Sequence, residues 1–180
     1  MRAAICYYSY YGSTKQYAEW IAQATNLPLV DIKRDKIDFD AFDVLIIGSP
    51  IYYYKLAAQE WLERHEERVQ DKTIIIFSVA VAPEGEKPEE WTEERLPEIF
   101  KSEVELFYLR GKQVPKDMSI KHRLAVITAE MLNKDAEART DEMKGLSYMD
   151  KKTIKPIVEH IKELEIQSRK DAGDFIVINH

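Results

Sequence analysis

The chain has 180 residues, 45% hydrophobic and 32% charged, which suits one soluble globular domain with a sizeable buried core. With 32 acidic against 26 basic side chains the formal net charge is −6, so it lacks the basic field that a nucleic-acid binder needs. Its one cysteine, Cys6, excludes an intramolecular disulfide and a cysteine-rich metal site, and no apolar run approaches the roughly 18 residues of a membrane-spanning helix.

Arg2 to Tyr8 reads as a buried strand, with Cys6 an inert buried thiol. A strand follows Arg2 where a signal peptide would need an apolar core, so the expected compartment is the cytoplasm. Next comes Ser9-Tyr10-Tyr11-Gly12-Ser13-Thr14, a hydroxyl-rich hexapeptide with one glycine, expected to be a tight loop. Thr14 to Thr25 then carries Ala18, Ile21 and Ala22 at helical spacing. Strand, small polar loop and helix in that order make a phosphate nest. The first helical N–H groups have no intrahelical acceptor, the helix dipole adds positive potential, and Ser9, Ser13 and Thr14 offer hydroxyls. A Walker A loop would need Gly-Lys-Ser/Thr, but here Lys15 follows Thr14; a dinucleotide fingerprint would need three spaced glycines, and only Gly12 is present. A single phosphoryl group fits best.

This stretch resembles the flavodoxin family, whose first loop has the pattern Ser/Thr-x-x-Gly-x-Thr with an alanine four residues on. Ser9, Gly12, Thr14 and Ala18 stand in those places. The resemblance implies that Ser9, Tyr10, Tyr11, Gly12, Ser13 and Thr14 hold the phosphate of FMN.

Strand and helix patterns continue to alternate. Leu27 to Ile32 reads as the second strand and Asp38 to Asp43 as a polar lead-in. Val44 to Gly48 is a third strand, apolar on both faces as a central parallel strand should be. Leu56 to Val69 reads as one helix, Thr73 to Ala80 as the fourth strand, Pro88 to Phe100 as a helix and Val104 to Leu109 as the fifth strand. The expected fold is α/β, a flavodoxin-like, doubly wound, five-stranded parallel sheet of order 2-1-3-4-5, with a helical insertion after strand five. Such a sheet binds its ligand at the carboxyl ends of its strands, where strand order reverses between strands one and three.

The loop expected after the third strand, Gly48 to Lys55, therefore faces the ligand, with Ser49, Pro50, Ile51, Tyr52, Tyr53 and Tyr54 as candidate cofactor-binding residues. Consecutive tyrosines beside a phosphate nest suit stacking on a flat heterocycle. By resemblance this loop covers one face of the isoalloxazine ring. Its tip is all tyrosine where many flavodoxins have glycine, so the one-electron-reduced flavin is expected to be poorly stabilised. The loop after the fourth strand brings small residues, Val79, Ala80 and Val81, which the resemblance places against the flavin edge.

After Tyr108-Leu109-Arg110-Gly111 the chain departs from the short flavodoxin plan with an insertion over about 111–144. Arg110, Lys112, Lys116, Lys121, His122 and Arg123 cluster there, and Met118, Ile120, Leu124, Ile127, Met131 and Leu132 form a stripe at helical spacing. A basic amphipathic helix of this kind lies on an anionic membrane surface, binds an acidic partner, or packs on its own domain with its charges in water. The Tyr-Leu-Arg-Gly strand end, the basic insertion and Gly145-Leu146-Ser147-Tyr148-Met149-Asp150 leading to Ile154-Lys155-Pro156-Ile157 resemble the flavodoxin subfamily that includes menaquinone-dependent protoporphyrinogen oxidase. That resemblance implies a redox partner protein or a small acidic substrate, a porphyrin or a quinone, with peripheral membrane contact. Electron transfer, quinone-linked dehydrogenation of protoporphyrinogen IX in heme biosynthesis, and a flavin-free binding module on the same fold are the functions to be weighed.

A last helix is expected from about Thr153, a plausible N-cap, with Ile154, Ile157, Val158, Ile161 and Leu164 as its buried stripe. Asp174 to Ile178 is a short apolar, β-like run. The four histidines show no ligand spacing and no Gly-x-Ser-x-Gly elbow is present, so any catalysis falls to the flavin.

Overall fold

The computed structural model describes residues 1–52, 55–81, 88–96, 98–100, 104–113 and 146–173. The parallel sheet contains β1 (Ala3–Tyr7), β2 (Leu29–Asp31), β3 (Val44–Tyr52), β5 (Thr73–Ala80) and β6 (Glu105–Arg110) in the order β2-β1-β3-β5-β6. A two-residue strand, β4 (Lys55–Leu56), pairs antiparallel with the end of β3. Leaving β4 aside, this is the doubly wound order 2-1-3-4-5.

Alternation along the three central strands builds two cores. Ala3, Ile5 and Tyr7 of β1, Val44 and Ile46 of β3, and Ile75, Phe77 and Val79 of β5 face α1 (Ser13–Thr25) and the last helix, α5 (Lys155–Asp171). The residues between them, Ala4, Cys6, Leu45, Ile47, Ile74 and Ile76, pack with Leu62 of α2 (Gln59–Arg64), Val69 of α3 (Glu66–Val69) and Leu96, the residue after α4 (Pro88–Arg95). Strands apolar on both faces are the consequence of helices on both sides. Gly48 is required within this packing: a Cβ there would come within 2.2 Å of Phe77 Cζ on the paired strand.

Several elements differ from the expected ones. Strand three does not end at Gly48; it runs on through Ser49, Pro50, Ile51 and Tyr52 and folds back on itself. Proline is tolerated there because β1 pairs with β3 only as far as Gly48, so the ladder on that side has ended. The expected helix over Leu56 to Val69 is not continuous. The Ala57 N–H donates to the Pro50 carbonyl and the Ala58 N–H to Ser49 Oγ, which hooks Leu56 into the hairpin. His65, with its Nδ1 2.8 Å from the Trp61 carbonyl, separates α2 from α3. Pro88 to Phe100 divides into α4 and a 3-10 turn at Glu98–Phe100. Before α5 a 3-10 turn, Lys151–Ile154, is capped by Asp150, whose carboxylate accepts the Lys152 N–H, so the cap falls three residues ahead of Thr153.

Most of the expected insertion, with its basic amphipathic stripe, and the run Asp174 to Ile178 lie outside the described residues. Its two stems are described. They are β7 (Lys112–Gln113) and β8 (Leu146–Ser147), paired antiparallel, with the Tyr148 N–H donating to the Gly111 carbonyl at 3.1 Å. No helix among the described residues is long and apolar enough to cross a membrane.

Candidate cofactor site

The carboxyl ends of β1 and β3 meet where strand order reverses, and the Tyr8 N–H donates to the Gly48 carbonyl at 2.8 Å across that junction. The loop leaving β1 closes on itself through Ser9, whose Oγ accepts the Gly12 N–H at 3.1 Å. Gly12 has φ +89°, the left-handed region that an alanine occupies only with strain, and it opens α1. The first intrahelical bond runs from the Gln16 N–H to the Gly12 carbonyl at 2.9 Å. The N–H groups of Ser13, Thr14 and Lys15 precede it and have no acceptor within the helix. A Cβ built on Gly12 meets nothing within 4 Å, so the glycine is required by its φ and not by crowding. A positive helix end and three amides without an acceptor in the helix fit one phosphoryl group.

The hydroxyls divide their work. Ser9 ties the loop, as described. Ser13 is buried, and its Oγ accepts the Lys112 N–H at 3.2 Å and lies 3.4 Å from the Lys112 carbonyl. What Ser13 retains for an anion is its backbone N–H. Thr14 is 1% exposed in the first turn of α1, and no buried side-chain polar atom among the described residues lacks a partner. Lys15, which follows the loop, turns along the helix to Glu19 at 3.7 Å.

The loop also carries a group of tyrosine rings. Tyr10 lies edge-on to both Tyr8 and Tyr52, with centroids 5.1 Å apart in each case. Tyr11 packs tilted against Tyr52 at 5.5 Å and against Tyr10 at 6.1 Å. The structure thus brings together Ser9, Tyr10, Tyr11, Gly12, Thr14 and Tyr52 from two segments far apart in sequence. Tyr8 joins them although the sequence reading passed over it as strand; its place directly before Ser9 is the signal that would have found it. Burial, and then its bond to the Tyr10 hydroxyl, pushes the Tyr8 phenol up to about 12, so it stays protonated.

Other expected site residues are placed differently. Ser49 is fully buried and its hydroxyl holds the Ala58 N–H at 2.9 Å; Pro50 is buried beside it. Ile51 and Tyr52 are half-buried on the hairpin, and Tyr53 and Tyr54 lie outside the described residues. Val79 and Ala80 are buried at the end of β5, where the Ala80 carbonyl accepts the Gly111 N–H at 2.9 Å, and Val81 is half-buried beyond them. Among the described residues no group of three or more His, Cys, Asp or Glu is placed to hold a metal. A hollow of 520 Å³ between α4 and β6, lined by Glu93, Leu96, Val104, Leu106 and Tyr108, shares no residue with the loop.

The flavodoxin domain family matches residues 4–143 of the chain. The chain belongs to the flavodoxin family. Among solved structures, a flavoprotein in complex with FMN from Lactobacillus acidophilus NCFM is 17% identical, with a TM-score of 0.44 over 61% of this chain and 91% of that one. Oxidised flavodoxin 2 from Bacillus cereus is 22% identical, with a TM-score of 0.45 over 73% of this chain and 99% of that one. A flavodoxin from the domain Archaea is 21% identical, with a TM-score of 0.40 over 73% and 99%. No curated protein matches the chain.

Proposed function

We propose that this flavodoxin binds FMN at the Ser9–Thr14 turn and works as a redox protein, an electron carrier or an oxidoreductase, in the cytoplasm. The observation that carries the reading is the left-handed Gly12 opening α1, with tyrosine rings from two segments gathered at the loop that contains it. The amides of Ser13, Thr14 and Lys15 would hold the phosphate. Tyr10, Tyr11 and Tyr52 offer aromatic surface that would exclude water from one face of the isoalloxazine ring and orient it. When bound, FMN supplies the electron storage; the protein supplies position and field.

A second reading is the quinone-linked oxidation of an anionic substrate such as protoporphyrinogen. It is favoured by Arg110, whose guanidinium lies 4.0 Å from the Tyr148 ring centroid at the end of β6, at the same carboxyl end of the parallel strands as the loop. A guanidinium held against an aromatic ring suits a carboxylate.

Reconstitution with FMN followed by anaerobic reduction tests both. A yellow protein that accepts electrons from a flavodoxin reductase but leaves protoporphyrinogen unchanged supports the carrier. Quinone-dependent loss of protoporphyrinogen supports the oxidase. A colourless protein after reconstitution rules out both and leaves a flavin-free module.

A further inference from the structure

The turn after β2 presents a cation to the tyrosine group. Asp31 ends β2, and the chain folds back on it: the N–H groups of Arg34 and Asp35 donate to the Asp31 carbonyl at 3.0 and 2.8 Å. The two carboxylates of this turn hold its own backbone. Asp31 Oδ1 accepts the Lys33 N–H at 3.0 Å, and Asp35 Oδ2 accepts the Asp31 N–H at 3.0 Å. Arg34 Nε lies 3.7 Å from Asp31 Oδ2. These bonds stiffen the turn and fix the backbone of Lys33, whose side chain is exposed. Lys33 Nζ lies 4.8 Å from the Tyr8 ring centroid and 5.0 Å from that of Tyr10, within the range of cation–π attraction.

Tyr10 belongs to the phosphate-binding turn, and its ring also meets Tyr11 and Tyr52. The Lys33 ammonium therefore stands beside two tyrosine rings, one of which, Tyr10, lies within the Ser9–Thr14 turn. Charge matters there for two reasons. The chain carries a net −6, so an incoming phosphate dianion meets a repulsive field. The lysine that directly follows the loop, Lys15, is directed to Glu19. Because Tyr8 remains a phenol at neutral pH, no phenolate cancels the ammonium.

We propose that Lys33 is a further cofactor-binding residue: its ammonium, carried on the Tyr8 and Tyr10 rings, attracts the FMN phosphate and makes the site prefer FMN to riboflavin. The role presupposes the FMN reading above and adds to it a charged determinant from a separate turn.

Fluorescence titrations of wild type, Lys33→Gln and Lys33→Arg with FMN and with riboflavin test it, each at low and at physiological salt. At low salt Lys33→Gln is expected to bind FMN about fivefold more weakly, and the difference shrinks as ions screen the charge. Riboflavin affinity stays within about twofold, because no phosphate charge is present to interact. Lys33→Arg keeps the FMN preference. Equal losses for both flavins would reduce Lys33 to a support for the rings and overturn the proposal. So would a Lys33→Gln variant that binds FMN as wild type does while wild type binds it well. Wild-type protein that binds neither flavin would overturn the FMN reading itself, and the role of Lys33 with it.

Discussion

The Tyr17 hydroxyl donates to the Arg110 carbonyl at 2.8 Å and accepts the Asp150 N–H at 3.2 Å. One fully buried side chain of α1 thus joins the end of β6 to the segment that leads into α5. Ser13 makes a parallel tie to Lys112 one turn earlier. The helix whose N-terminus faces the crevice is therefore anchored at the point where the stems of the 112–147 excursion leave and return. Tyr17→Phe removes both bonds and is expected to cost about 1–3 kcal/mol. At about 2–4 °C per kcal/mol for a chain of this size, thermal unfolding should shift down measurably. An unchanged melting temperature would show that the tie contributes nothing.

Gly48 pairs with Phe77 across β3 and β5, and the ring covers the glycine so closely that a methyl group has no room. Gly48→Ala is expected to destabilise the fold by about 1–3 kcal/mol through overpacking. Phe77→Leu removes the obstructing ring edge, so adding Gly48→Ala to that background should cost less than it does alone. Chemical denaturation of the four proteins measures the coupling. Additive effects would mean that the strain is relieved elsewhere.

The architecture was legible because parallel central strands bury both faces. Val44 to Ile47 and Ile74 to Phe77 read as continuous apolar runs and occupy the middle of the sheet. The first loop was legible because Gly12 must adopt positive φ and the hydroxyl residues around it are local in sequence. The hairpin at the end of β3 was hidden by Pro50, which reads as a strand breaker until one sees that β1 has already ended. The break at His65 was hidden because the apolar spacing of Leu56 to Val69 persists across it. The Ser13–Lys112 bond and the placing of Lys33 over Tyr10 join residues from different strands and turns, and no local pattern announces such pairs.

Cys6 lies fully buried in β1, and burial pushes its thiol up from the ordinary 9.0 to about 12. The folded state thus keeps a proton that the unfolded chain releases. This contribution is fully present below about pH 9 and is lost as pH rises towards 12, at up to about 1.4 kcal/mol per pH unit. The difference in unfolding free energy between wild type and Cys6→Ala should be constant below pH 9 and should shrink above it. A difference that stays flat to pH 11 would mean that the folded thiol ionises normally.

The turn from Ser9 to Thr14 is the centre of the functional reading, and direct titration with FMN addresses it. Protein stripped of flavin and added to dilute FMN should quench its fluorescence to a one-to-one endpoint. Gly12→Ala, which forces a side chain onto φ +89°, should bind about five- to thirtyfold more weakly at a strain of about 1–2 kcal/mol. FMN fluorescence that stays undiminished with excess wild-type protein, or a Gly12→Ala variant that quenches as well as wild type, would contradict a phosphate held by this turn.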